Sequence, residues 1–272
     1  MIGQANLHSR IEQLINDGTF PRFSILVGPK GSGKKTLAHE IAKKIPNALV
    51  FDVGLSVGDV RTSIENAYKM VNTVVRIIPD ADTMSNAAKN ALLKVTEEPP
   101  NNAYFIMTLE DENNTLETIR SRGTVFHMDS YTHDEIYRYA CSFDCCDIES
   151  YKLFTSICDT PGDVDMLKKM GSKEFYNYVQ LVVDNIAEVQ LANAFKISEK
   201  IALKDGAEGY DLKLFWRAFY RLCGDRFFIG LEQKYSDPMA ITNKYLQKLR
   251  IKGINRQMLF DSWLLEIREV WK

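Results

Sequence analysis

The stretch Phe23–Ile45, FSILVGPKGSGKKTLAHEIAKKI, decides the fold. An apolar strand runs into a glycine-rich turn and directly on into a helical pattern, the setting in which a phosphate-binding loop G-x-x-x-x-G-K-[ST] has meaning. Gly28, Gly33 and Lys34 fit that pattern, with Gly31 and Ser32 completing the turn. The glycines let backbone N–H groups face phosphates, and Lys34 neutralises their charge. The hydroxyl position that holds magnesium in such loops is Lys35, while Thr36 comes one residue late and points elsewhere on the helix. The loop therefore predicts nucleotide binding more firmly than magnesium-assisted chemistry. A loop kept only to pack strand against helix is the competing reading.

Working outward, FSILVG, ALVFDVG, VVRIIP, AYFIMTL and TVFHM alternate with helical patterns at Lys35–Lys44, Gly58–Val71 and Asn86–Val95. This βαβ rhythm between Ile11 and Met128 predicts an α/β domain with a parallel sheet of about five strands. The strand VVRII ends in PDADTM, where P-loop ATPases carry an acid for magnesium and a second that polarises water. Pro79 takes the first place, Asp80 the second, and Asp82 lies two further on. With Lys35 and Pro79 both lacking a side-chain oxygen, hydrolysis by this chain alone is not expected. After Met128 the pattern turns helical. Thr132 and Glu135 form a capping box, Thr132 to Met170 reads as a small helical domain, and amphipathic segments follow from Lys173. Their stripes (Phe175, Val179, Val182, Ile186, Val189; Leu212, Phe215, Phe219, Leu222; Leu259, Trp263, Leu264, Ile267) predict a third, all-helical domain with an aromatic core. The expected divisions are 1–130, 131–172 and 173–272.

The 272 residues are 45% hydrophobic and 26% charged, an ordinary globular composition with a formal net charge of -2, which argues against a strongly basic, free-standing nucleic-acid binder. Cys141, Cys145, Cys146, Cys158 and Cys223 are odd in number and lack paired zinc-ligand spacing, so reduced thiols and no metal centre are expected. The start MIGQANLHSR has no apolar signal core, and no apolar run reaches a membrane span. A soluble, cytoplasmic protein is expected.

The run IIPDADTMSNAAKNALLKVTEEPPNNAYFIM, the later TIRSRG and the opening IGQ resemble the AAA+ clamp-loader subunits of DNA replication, most of all the bacterial delta prime subunits of the DNA polymerase III clamp loader. The resemblance spans roughly Ile2 to Met128; beyond it lies only an architecture of small lid and helical collar. It implies that Gly31 to Thr36 lie under the phosphates of ATP or ADP, and that Thr108 stands where the first sensor reads the terminal phosphate. It implies too that Arg122, of the Ser121-Arg122 pair, is presented to a neighbouring subunit's ATP from an exposed turn after the sheet. Gly123 stands where the family has Cys. Arg61 belongs to a helix whose family counterpart faces enclosed DNA. The lid's second sensor, an Arg or Lys in the family, is Asp165 here, and the zinc-binding insertion is missing between Ala38 and Arg76. A compact, phage-borne version would suit these departures.

Three readings follow. The first is a non-hydrolysing, stator-like ring member with other loader subunits, a sliding clamp and primer-template DNA as partners. The second is an ATPase motor using Asp80 or Asp82 in place of the missing acid. The third is a small P-loop phosphotransferase, for which Thr132 to Met170 lacks an arginine cluster.

Overall fold

All five apolar runs become strands of one sheet. In the computed structural model, β1 (Phe23–Val27), β2 (Leu49–Asp52), β3 (Val74–Ile78), β4 (Ala103–Leu109) and β5 (Thr124–His127) pair in the order β2-β3-β4-β1-β5, each pair parallel. The structure describes residues 3–142, 154–202, 208–230, 232–249, 251 and 253–271, so Cys145 and Cys146 lie outside the described residues. The chain divides into two units, Met1–Tyr131 and Thr132–Lys272.

In the first unit, side chains alternate across the sheet as the strand period of two requires. Val74 and Ile78 join one core with Phe23, Ile25 and Phe105; Val75 and Ile77 join the other with Leu26, Ile106 and Phe126. Because both faces are covered, the central strands read as unbroken apolar runs. α1 (Ala5–Asn16) and α2 (Lys34–Lys44) cover one face through Leu7, Ile11, Leu37 and Ile41. The other face carries α3 (Val57–Lys69), α4 (Asn86–Ala91), α5 (Leu93–Glu97) and α6 (Glu117–Arg120), through Val60, Ile64, Ala88, Val95 and Ile119. α4 to α6 fall well below the roughly 12–15 residues a helix needs to persist alone, so it is this burial that holds them. From β1 the chain runs to the β2 edge, whereas β5 closes the opposite edge beside β1. Parallel sheets bind ligands outside the carboxyl ends of strands at such a reversal.

Three expected helices shift. α2 begins at Lys34, and α3 spans Val57–Lys69 because Ser56 caps it, its hydroxyl accepting from the Asp59 N–H at 3.1 Å. The helix expected over Asn86–Val95 is broken at Leu92, whose N–H donates to Lys89 O at 3.1 Å, three residues back instead of four; the chain then runs helically to Glu97. α1 was not anticipated.

The second unit has helices at His133–Cys141, Pro161–Lys169, Ser172–Asn185, Leu191–Ala194, Leu212–Phe228, Ser236–Lys248 and Arg256–Val270. The Thr132–Glu135 capping box is present. Phe215, Trp216, Phe219, Phe260 and Trp263 are all fully buried, with Trp263 edge-on to Phe219 at 5.0 Å between ring centroids. The all-helical expectation is corrected by two-residue parallel strands, Ile201–Ala202 with Tyr210–Asp211. Tyr210 is held extended by its ring contacts with Phe175 and Tyr178, and Asp211 caps the next helix by accepting from the Leu214 N–H at 3.0 Å. Among the described residues no helix is long and apolar enough to cross a membrane, and no group of three or more His, Cys, Asp or Glu could hold a metal ion.

Candidate nucleotide-binding site

The loop between β1 and α2 has the backbone of a phosphate cradle. Gly31 (φ 79°) and Gly33 (φ 85°) are both left-handed, a conformation that side chains resist, and it turns successive N–H groups to one side. Gly28 is required by crowding: a Cβ there would lie 2.9 Å from Met128 Cβ and 3.0 Å from Ser32 Oγ. Its N–H donates to Leu109 O at 3.1 Å, fastening the loop to the end of β4. Ser32 is buried, and its carbonyl accepts from the Tyr131 hydroxyl at 2.7 Å.

Lys34 is buried and folded over this loop, donating from Nζ to Gly28 O at 2.7 Å and to Pro29 O at 2.9 Å. Burial pulls its pKa below the usual lysine value, while the carboxylates of Glu110, Asp80 and Asp82 act against that fall. The lysine thus sits between its own loop and the acidic ends of β3 and β4, where a nucleotide's phosphates would meet it. Thr108, buried in β4, accepts at Oγ1 from the Asp80 N–H at 2.9 Å, and its hydroxyl proton has no protein acceptor among the described residues. Asp80 itself is exposed and left-handed (φ 48°). Gly28, Gly31, Ser32, Gly33, Lys34, Thr108 and Asp80 are therefore brought to one end of the sheet. Loop shape, lysine and the buried Thr108 hydroxyl all fit a nucleotide.

The magnesium side does not fit. Lys35 turns to the end of β2, pairing with Asp52 at 2.9 Å, and His39 Nε2 lies 3.1 Å from the same carboxylate. Thr36 is exposed on α2, and Pro79 offers no side-chain oxygen. Asp82 is also engaged: it accepts from the Glu110 N–H at 2.8 Å, the Asp111 N–H at 3.4 Å and Asn114 Nδ2 at 3.0 Å. Asp165 accepts from the Tyr139 hydroxyl at 2.9 Å, so the second-sensor place is an acceptor.

Arg122 lies apart from the cradle. The expectation of a turn after the sheet is corrected: the turn precedes β5, between α6 and that edge strand, because Arg122 and Gly123 N–H groups both donate to Ile119 O and close the end of α6. Its guanidinium is 39% exposed, with Nη2 3.0 Å from Glu97 Oε1 and Nη1 donating to Thr118 O at 2.9 Å. Gly123 is explained by packing, since a Cβ there would meet Ile25 Cδ1 at 2.9 Å. Arg61 is exposed on α3, one turn past its start. Sequence reasoning missed Glu97, Asp52, Asn114 and Tyr131, none of which stands within a motif's functional positions.

A family profile described as DNA polymerase III, delta subunit, matches residues 57–132. The DNA polymerase III subunit gamma of Buchnera aphidicola is 25% identical over 169 residues, covering 51% of this chain and 47% of that protein. The subunit delta' of Escherichia coli is 30% identical over 121 residues, 44% of this chain and 31% of its own. Replication factor C subunit 4 of Oryza sativa is 26% identical over 148 residues, 49% and 44%. The chain thus spans less than half the length of these curated relatives. In fold it is similar to the RuvB Holliday junction branch migration motor of Thermotoga maritima, with a TM-score of 0.51 and 20% identity, over 99% of this chain and 87% of that one. A P-loop at the reversal of a five-stranded parallel sheet, with sequence that matches DNA polymerase III and replication factor C subunits, makes this chain similar to the clamp-loader-type AAA+ proteins.

Proposed function

We propose that this chain is the stator-like member of a clamp loader in DNA replication, akin to delta prime. It completes a ring with other loader subunits, presents Arg122 to a neighbour's ATP, and hydrolyses none itself. The observation that carries this is the split within one site. The phosphate cradle keeps its left-handed glycines and its lysine, whereas Lys35 is paired with Asp52, Pro79 lacks an oxygen, and Asp82 holds the loop after β4. Such a site binds ATP or ADP weakly and lacks the ligands to hold magnesium for hydrolysis. Arg122 needs none of that machinery. A guanidinium offered across a boundary stabilises charge on the transferred phosphoryl group, an effect worth about 10³-fold or more in rate.

In this reading Thr132 to Met170 is a lid, the helices after Lys173 form the collar that joins subunits, and Arg61 faces the backbone of primer-template DNA. The sliding clamp is met through the assembly, in the cytoplasm, and the missing zinc insertion marks a compact, phage-type version.

The test has two arms. The isolated chain is expected to bind ATP or ADP, to lose that binding with Lys34→Ala, and to release no phosphate above background. In a ring assembled with the loader subunits of its own genome, Arg122→Ala is expected to leave assembly intact and to depress DNA- and clamp-stimulated phosphate release. Magnesium-dependent hydrolysis by the isolated chain, abolished by Lys34→Ala, would replace this reading with the motor. A wild-type rate in an intact Arg122→Ala ring would remove the finger.

A further inference from the structure

We propose that Glu97 is the positioning residue of the Arg122 finger, an inference that rests on the finger role above. The guanidinium is gripped at two corners by two different elements. Thr118 O, four residues back on α6, takes Nη1 at 2.9 Å, and Glu97 Oε1, at the end of α5, takes Nη2 at 3.0 Å. Of the five N–H donors of an arginine, these contacts occupy two, and the side chain stays 39% exposed.

The supports of both partners are themselves fixed. On the arginine side, Ile119 is fully buried and its carbonyl receives the N–H groups of Arg122 (3.2 Å) and Gly123 (2.9 Å), while Gly123 lies against Ile25 with no room for a Cβ. On the glutamate side, α5 ends just before Glu98-Pro99-Pro100, and Glu98 O accepts from the Tyr68 hydroxyl at 2.7 Å. A rigid turn therefore faces a pinned helix end, and the ion pair spans them.

Stability does not account for the pair. Both side chains are well exposed, 39% for Arg122 and 53% for Glu97, and ion pairs of that kind contribute little to folding. What the pair does is restrict a long, rotamer-rich side chain to one direction before the neighbour's phosphates arrive. That ordering is otherwise lost at each transition state, and removing the restraint is expected to slow the step by roughly three- to tenfold. The effect belongs in kcat, because the finger's contact strengthens only as charge develops.

The experiment compares wild type, E97A, E97Q, R122A and the double variant E97A/R122A in the assembled ring, reading kcat and KM for ATP, with thermal melts of the isolated chains. Glu97→Ala is expected to lower kcat by about three- to tenfold with KM and melting temperature unchanged. Glu97→Gln keeps an acceptor oxygen and is expected to retain most of the rate. On the Arg122→Ala background, Glu97→Ala is expected to change nothing further, since it acts through the arginine. An unchanged or raised kcat for Glu97→Ala overturns the inference, as does a loss that persists in the double variant. If Arg122→Ala slows the ring while Glu97→Ala does not, the positioning role alone falls; if Arg122→Ala leaves an intact ring at full rate, the finger reading falls and takes this inference with it.

Discussion

Two neighbouring lysines divide the candidate nucleotide site between them. Lys34 turns inward over the carbonyls of Gly28 and Pro29, and Lys35 turns outward to Asp52. One hundred degrees of helix separates their directions, so one is buried in the cradle and the other lies on the rim of β2. Lys35 also carries positive charge into the first turn of α2, which the helix dipole disfavours, and the Asp52 carboxylate offsets that. Restoring the hydroxyl by Lys35→Thr is therefore expected to be mild for folding, within about 0.5 kcal/mol as for other surface changes. It is also expected to leave phosphate release by the isolated chain at background, because Pro79 still supplies no second oxygen. Phosphate assays with and without magnesium check this. Magnesium-dependent turnover from the single variant would mean that the β3 acid is not required here and would return the motor reading to the field.

At the scale of elements, β3 contains an anomaly the helices around it do not resolve. Arg76 sits in the middle of this buried strand, only 6% exposed, with its guanidinium over the Phe51 ring at 4.4 Å and Nη2 3.4 Å from Met70 Sδ. Among the described residues Nε has no hydrogen-bond partner and no carboxylate is paired with the guanidinium; burial pulls its pKa down. A buried charge without a counter-ion opposes folding, and apolar replacement of buried charged groups is commonly neutral or stabilising. Arg76→Met, similar in length and suited to Phe51 and Met70, is expected to raise unfolding stability by about 1 kcal/mol or more. The check is a higher urea midpoint at unchanged slope; a lower midpoint would mean that the stacking on Phe51 outweighs desolvation. The central strands β1, β3 and β4 were legible because burial on both faces makes them largely apolar runs, whereas β2 is exposed along its length and was legible only from its Leu49-Val50-Phe51 triplet. The break at Leu92 was not, since only the three-residue hydrogen bond to Lys89 O marks it. α1 escaped notice because it buries only Leu7 and Ile11. In the candidate site, Gly31, Gly33 and Lys34 could be read directly, for each is tied to one backbone or charge requirement. The pairing of Glu97 with Arg122, and of Asp82 with the Glu110 N–H, joins residues distant in sequence through the sheet, and no local pattern carries it.

At the scale of the whole molecule, burial perturbs cations in one unit and thiols and phenols in the other. In Thr132–Lys272 the perturbed thiols and phenols are raised, each chiefly by burial: Cys223, Tyr139 and Tyr245 are pushed up to about 12, and Cys158 and Tyr178 are pushed up as well, whereas the Lys244 ammonium holds the Glu266 carboxyl down. Asp165 beside Tyr139 and Glu266 beside Tyr245 add to the rise, since a phenolate there would face a carboxylate. These groups keep their protons in the folded state after an unfolded chain would release them. The stability they contribute is therefore whole below the ordinary thiol value of 9.0 and tyrosine value of 10.0, and it is lost as pH climbs from there towards the folded values. In Met1–Tyr131 the shifts run the other way: Lys34 and Arg76 are lowered by burial, so rising pH relieves their cost. Trp216, Trp263 and Trp271 all lie in the second unit, which makes tryptophan emission a report on that unit alone. Thermal melts followed by emission are expected to be flat in midpoint between pH 7 and 8.5 and to fall steadily above about pH 9. The decline should steepen where the tyrosines join. Melts of the Cys223→Ala variant should lose part of the first segment of that decline and keep the tyrosine segment. An emission midpoint that holds constant to pH 11 would mean that the buried thiols and phenols of this unit ionise as readily folded as unfolded, and that their burial does not retain their protons.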